Sequence, residues 1–219
     1  MGSLPRRKAA PKTRPSPGKR PYEAGATRRA QIITATIAII AEHGLQGWKT
    51  AEVARRVGIS EPTLFRHFKS KRGMLAAAVR HETSTLEKMV TEFEGTGDAW
   101  NRAEGLITSI LSFLESTGGG PLVILTGQLS SASASTRNEM LKALGVVRQR
   151  LTMLFQDAVE ERHADGTVQP EDLADLAIAI VQSSALRWVM SHRTYPAKQR
   201  ARAMLHVARL SLDPARRAP

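Results

Sequence analysis

The chain has 219 residues, no cysteine, few aromatic residues and a formal net charge of +12. Without cysteine there are no disulfides, thiolate nucleophiles or thiolate metal sites, and with 5% aromatics the core has to be mainly aliphatic. The positive charge is concentrated at one end: residues 1–30 carry nine Lys/Arg against one acid and residues 31–80 carry eight against three, whereas residues 81–219 carry fifteen against sixteen. A polyanionic partner for the first third and a solubilising basic tail both account for this distribution.

Residues 1–26 combine Pro, Lys, Arg and Ala with almost nothing apolar to bury, so a disordered basic arm is expected there. They contain no apolar run of signal-peptide type. From Thr27 onward Ile32, Ile33, Thr36, Ile37, Ile40 and Ala41 share one helical face, and Gly44 is expected to stop this helix. A short second helix runs from Thr50, read as its cap, to Val57, with Val53, Ala54 and Val57 as its buried stripe and Gly58 as its end. Ser60 then caps a third helix, where Pro62 is tolerated because first-turn amides have no intrahelical partner to lose.

A long helix follows Ser70, marked by Met74, Leu75, Ala78, Val79, Leu86, Met89, Val90 and Phe93 and closing near Gly95 to Gly97. Trp100, Ala103, Leu106, Ile107, Ile110, Leu111 and Leu114 form the next stripe, up to the break at Gly118 to Pro121. A helix from Leu122 to about Ser131 comes next. "TRNE" at Thr136 to Glu139 has the form of a capping box and opens a helix through Leu141, Leu144, Val147, Leu151, Leu154, Phe155 and Val159, ending around Asp165 and Gly166. The last two helices start near Pro170 and Pro196. From Leu173 to Met190 the sequence is apolar nearly all round, so one face needs a partner outside its own core, which a dimer would supply. The fold class is all-α, and the longest uncharged run, between Glu115 and Arg137, has a dense apolar piece only from Leu122 to Leu125, far short of a membrane span.

Three short helices with a glycine turn between the second and third read as a helix-turn-helix, whose third helix enters the major groove of DNA. Ile59, Leu64 and Phe68 form its buried side, leaving Glu61, Pro62, Thr63, Arg66 and His67 outward. Arg can grip guanine bidentately, Thr and Pro can meet a thymine methyl, and His can donate to a phosphate or a base. The alternative is a surface helix whose polar face meets only water.

The stretch "GLQGWKTAEVARRVGISEPTLFRHFKSKRGML" resembles the DNA-binding domain of tetracycline-repressor-like (TetR family) transcriptional regulators, over about Arg28 to Leu75. The resemblance implies a helix-turn-helix domain over residues 27–73, a helical effector-binding and dimerisation domain over 74–213, and a short tail at 214–219. It implies that Thr50 and Lys71 bind backbone phosphates and that Glu61, Pro62, Thr63, Arg66 and His67 face the groove. Phe65 stands where tyrosine is usual, which leaves packing or sugar contact, and Lys49 stands where Thr or Ser is common, which leaves a point charge for phosphate. Glu61 can accept from cytosine or repel wrong sites. "AIVQSSALRWVMS" resembles the family's dimer-forming helix, so a homodimer through the last two helices is implied.

The resemblance further implies an effector pocket for a small apolar or amphipathic molecule. Trp100, Phe113, Met153, Phe155, Gln182 and Trp188 are candidates to line it, although ordinary core packing accounts for most of them. The expected function is a repressor of palindromic operators, released by an effector, in the cytoplasm on the nucleoid. "GGGPLVILTG" resembles the nucleoid-occlusion branch of the family, which leaves an architectural or cell-division DNA binder without an effector as the alternative. His43, His67, His81, His163, His192 and His206 have no metal-ligand spacing, and no phosphate loop or serine-hydrolase elbow occurs, so neither catalysis, metal nor cofactor is expected.

Overall fold

The computed structural model describes residues 21–119, 134–161, 164 and 167–212. Among these residues eight helices and no strand occur: α1 (Pro21–Gly47), α2 (Thr50–Val57), α3 (Glu61–His67), α4 (Lys71–Thr91), α5 (Ala99–Ser116), α6 (Ala134–Glu160), α7 (Pro170–Met190) and α8 (Ala197–Ser211). The expected helix from Leu122 to Ser131, residues 1–20 of the expected arm and the tail at 214–219 lie outside the described residues.

Among the described residues two apolar cores form. The first gathers Ile32, Ile39 and Ile40 of α1, Trp48, Val53 and Ala54, Leu64 and Phe68, and Met74, Ala77 and Val79 of α4. The second holds Trp100, Leu106, Ile107 and Leu111 of α5 against Leu151, Leu154 and Phe155 of α6, Leu173, Ala177 and Trp188 of α7, and Ala201 and Leu205 of α8. Helix α4 runs unbroken through both, giving Met74 to the first and Val90 to the second. A division at residue 73 therefore cuts into the first core, whose apolar contacts extend to Val79. A polar strut also joins the two parts: Arg193, in the turn between α7 and α8, donates to the carbonyl of Ala41 near the end of α1 at 3.1 Å.

Several expected boundaries shift. Helix α1 starts at Pro21, so residues 21–26, read as part of the basic arm, form its first turns, and proline suits a helix start. Gly44 does interrupt α1: its φ of 70° lies in the left-handed region that glycine enters without a Cβ clash, and a short helical piece continues to Gly47. Helix α4 ends at Thr91, with Phe93 beyond it. Thr136 lies inside α6, which already includes Ala134 and Ser135, so it is not the helix cap. Leu141 and Leu144, expected in the buried stripe of α6, are 65% and 39% exposed, because the buried face follows Ala143, Val147, Leu151, Leu154 and Ala158 instead.

Candidate nucleic-acid interface

Local chemistry sets the helix-turn-helix. Gly58 closes α2 at φ 72°, a left-handed cap in which its own amide reaches the carbonyl of Arg55 and the Ile59 amide reaches that of Ala54. Ser60 then starts α3 by accepting from the Thr63 amide at 3.4 Å, and Ser70 starts α4 by accepting from the Gly73 amide at 3.0 Å. Leu64 and Phe68 are buried at 0% and 3% exposure and anchor α3 on the first core. Pro62, Phe65 and Arg66 are exposed, whereas Glu61, Thr63 and His67 are half-buried at the edge of the same surface.

Thr50 does not cap α2. Lys49 holds the cap position without a side-chain cap bond, and the Thr50 hydroxyl donates instead to Glu61 Oε1 at 2.5 Å. This bond joins the first residue of α2 to the first residue of α3. Lys49 is exposed. Lys71 is also exposed, yet its ammonium donates to the Trp48 carbonyl at 2.8 Å and lies 4.5 Å from the centre of the Trp48 ring. Trp48, with 2% exposure, is thus a core residue that fixes where Lys71 presents its charge.

Two further residues shape the surface and were legible in the sequence only as positive charge. Arg28 donates to the carbonyl of Val57, the last residue of α2, at 3.2 Å, and Arg29 donates to that of His67, the last residue of α3, at 2.6 Å. Both arginines come from α1 and satisfy carbonyls that a helix end leaves open, at its negative pole. Beside them Arg56 grips Glu42 through two bonds of 2.8 and 2.6 Å, and the hydrogen bond holds the Glu42 carboxyl below its ordinary range. Glu42, His43 and Glu52 bring ligand atoms together at the surface, but Arg56 pairs with both carboxylates and Arg55 with Glu52, so the group is an ion-pair network.

The six candidate pocket residues do not share one lining. Trp100 and Phe155 are buried and meet edge to face at 5.4 Å, and Trp188 is 9% exposed. Phe113 is half-buried against the same core. Met153 at 52% exposure and Gln182, also exposed, lie on the outer surface, because they fall opposite the buried stripes of α6 and α7.

On α7, Leu173, Ala174, Ala177, Ile180, Val181, Ser184, Ala185 and Trp188 face inward. A second stripe at Leu176, Ala179, Leu186 and Met190 is exposed, with Val207 of α8 exposed as well. By length and composition α7 is apolar enough to cross a membrane, and 44% of that stretch is buried within the fold.

Among the described residues, a three-helix unit with a helix-turn-helix ahead of a larger helical core defines a protein of the helix-turn-helix class. A family model described as bacterial regulatory proteins, tetR family, matches residues 32–78. The nucleoid occlusion factor SlmA of Vibrio cholerae is 30% identical over 175 residues, covering 77% of this chain and 87% of that protein. SlmA of Haemophilus influenzae is 30% identical over 138 residues, covering 62% of this chain and 61% of that protein, so the match spans about three fifths of that relative's length. A transcriptional regulator from Rhodococcus sp. Rha1 shares the fold with a TM-score of 0.69 at 23% identity, over 84% of this chain and 97% of that one. The chain belongs to the tetR family of bacterial regulatory proteins.

Proposed function

We propose that this regulator acts as a homodimer that represses transcription from palindromic operators and is released by a small apolar or amphipathic effector in its C-terminal domain. It acts by binding rather than by turnover, in the cytoplasm on the nucleoid. The observation that carries the DNA-reading part is the recognition helix α3, anchored by Leu64 and Phe68 with Pro62, Phe65 and Arg66 turned to solvent. Glu61, Thr63 and His67 flank that surface as further groove-facing residues, with Lys49, Lys71 and the backbone amide of Thr50 toward the phosphates. The exposed apolar stripe of α7 supports dimerisation, which would set the two recognition helices near one DNA turn apart, about 34 to 36 Å. The effector reading is supported by the apolar C-terminal core around Trp100, Phe113, Phe155 and Trp188, and it requires a molecule that binds two dimer geometries with different affinity.

A second reading, a chromosome-marking DNA binder without an effector, is favoured by the similarity to proteins named nucleoid occlusion factor SlmA, which extends well beyond the DNA-binding unit. Selection of binders from random duplex DNA at near-physiological salt tests sequence-specific binding, and an enriched palindrome supports it. Strong, salt-sensitive binding with no enriched sequence overturns it in favour of an architectural role. Mapping occupied chromosomal sites then separates the two readings, since a repressor gathers at promoters whereas a marking protein is spread along the chromosome.

A further inference from the structure

The bond between Thr50 and Glu61 bears on which residue reads sequence and which holds the backbone. A threonine hydroxyl has a single hydrogen to donate, and Thr50 directs it to Glu61 Oε1. While that bond stands, the Thr50 side chain has no proton left for a DNA phosphate, although its backbone amide, in the first turn of α2, remains available. Glu61 in turn is held by one oxygen, across eleven positions of sequence, from an element other than its own. Its second oxygen, Oε2, remains to accept. Among the described residues no arginine or lysine is paired with Glu61, so its acceptor capacity is not neutralised.

A carboxylate facing a duplex is repelled by phosphates, and the base-edge group it can accept from with profit is an amino donor; of the two in the major groove, adenine N6 lies beside the N7 acceptor, which repels a carboxylate, so cytosine N4 is the better fit. A freely rotating glutamate would spend side-chain entropy to make that contact, whereas one fixed by a hydrogen bond does not. We infer that Glu61 is a specificity-determining residue that selects cytosine at one position of each half-site, and that Thr50 is its positioning residue rather than a side-chain phosphate ligand. Phosphate attraction at this end of the surface then falls to Lys49 and Lys71, both exposed. The inference rests on the reading of α3 as the recognition helix and specifies how its first residue works.

The experiment uses the full chain and a panel of duplexes derived from the site that the wild-type protein selects, each base pair replaced in turn, with wild type, Glu61→Gln, Thr50→Val and Thr50→Ser compared. Wild type is expected to lose roughly five- to hundredfold in affinity when the cytosine is replaced, the ordinary range for one mismatched pair. Glu61→Gln should abolish that preference while leaving the penalties at other positions intact. Thr50→Val should weaken the same preference alone, and Thr50→Ser, which keeps the hydroxyl, should restore it. A Thr50→Val protein with uniformly weaker binding and unchanged preference overturns the positioning role and returns Thr50 to phosphate. A Glu61→Gln protein that binds all duplexes more tightly with unchanged preference makes Glu61 a repulsive charge and overturns base reading. A wild-type protein that selects no sequence at all overturns this inference together with the recognition-helix reading, whereas selection that none of the variants alters overturns this inference alone.

Discussion

Arg29 donates to the carbonyl oxygen of His67 at 2.6 Å while its guanidinium lies 4.0 Å from the centre of the Phe68 ring. One side chain from α1 therefore closes the end of the recognition helix and covers its last anchor. Arg29→Ala should lower stability by about 1 to 2 kcal/mol, the range for a charged hydrogen bond with a partly exposed cation–π contact. Arg29→Lys should recover only part of this, because an ammonium keeps the charge but not the planar stack. Urea unfolding without DNA measures the effect; a loss seen only when DNA is present would make Arg29 a phosphate ligand instead.

Arg66 is exposed on α3 and is the side chain there that can engage guanine through two parallel bonds. Arg66→Ala should cost roughly 1 to 3 kcal/mol and relax preference at a single operator position. Affinity measured on single-base variants of the selected site distinguishes this from a phosphate contact, which would weaken every sequence alike and reduce the salt slope.

What could be read from the sequence follows from how far apart the interacting residues lie. The seven-residue stripe of α5 from Trp100 to Leu114 is buried throughout, and Gly58, Ser60 and the Leu64–Phe68 pair fall where their spacing put them, because each depends on neighbours within a turn. The contacts that shape the DNA-facing surface reach further: Arg28 to Val57 across 29 positions, Arg29 to His67 across 38 and Lys71 to Trp48 across 23. Periodicity holds no information about such pairs. Thr50 departs from expectation for the same reason, since a threonine at a helix start suggests a cap and nothing nearby reveals the glutamate that accepts its hydrogen bond. On α6, Leu141 and Leu144 are as apolar as the residues actually buried, and apolarity alone does not say which face a neighbouring helix covers.

Residues 1–20 carry seven Lys/Arg and no acid. Their deletion, which leaves α1 from Pro21 onward, should weaken binding to all DNA and flatten the dependence of log affinity on log salt, because each phosphate contact adds about 0.9 to that slope on duplex DNA. Titrations at several salt concentrations read this directly, and an unchanged slope rules the segment out as a DNA contact.

Glu82 on α4 is 5% exposed, its Oε2 has no hydrogen-bond partner, and burial pushes its carboxyl from 4.5 up to about 7. Between those two values the folded chain keeps a proton that the unfolded chain releases, so this group makes stability fall as pH rises from 4.5 to about 7 and adds no further change above. Glu82→Gln removes the charge and should be more stable than wild type by about 3 kcal/mol at pH 8, with the gap closing towards pH 4. Urea unfolding of both proteins across this range isolates the group, because other titrations cancel in the difference. A gap independent of pH would mean that Glu82 is not protonated in the fold at neutral pH.

Leu176, Ala179, Leu186 and Met190 recur at intervals of three, seven and four along α7, close to whole helical turns, and so share a face opposite the buried stripe. Leu176, Leu186 and Met190 are 44%, 40% and 71% exposed, an apolar face suited to a second copy of the same helix. Leu186→Glu should leave each chain folded, since the position is already partly in water, but would bury a carboxylate if two such faces met. Sedimentation should show a dimer for wild type and a monomer for the variant. The monomer should also lose most of its affinity for a full palindrome while binding a single half-site about as well as wild type does, because what is lost is the linkage of two reading heads rather than either head. A variant that remains dimeric would place the interface elsewhere on the molecule.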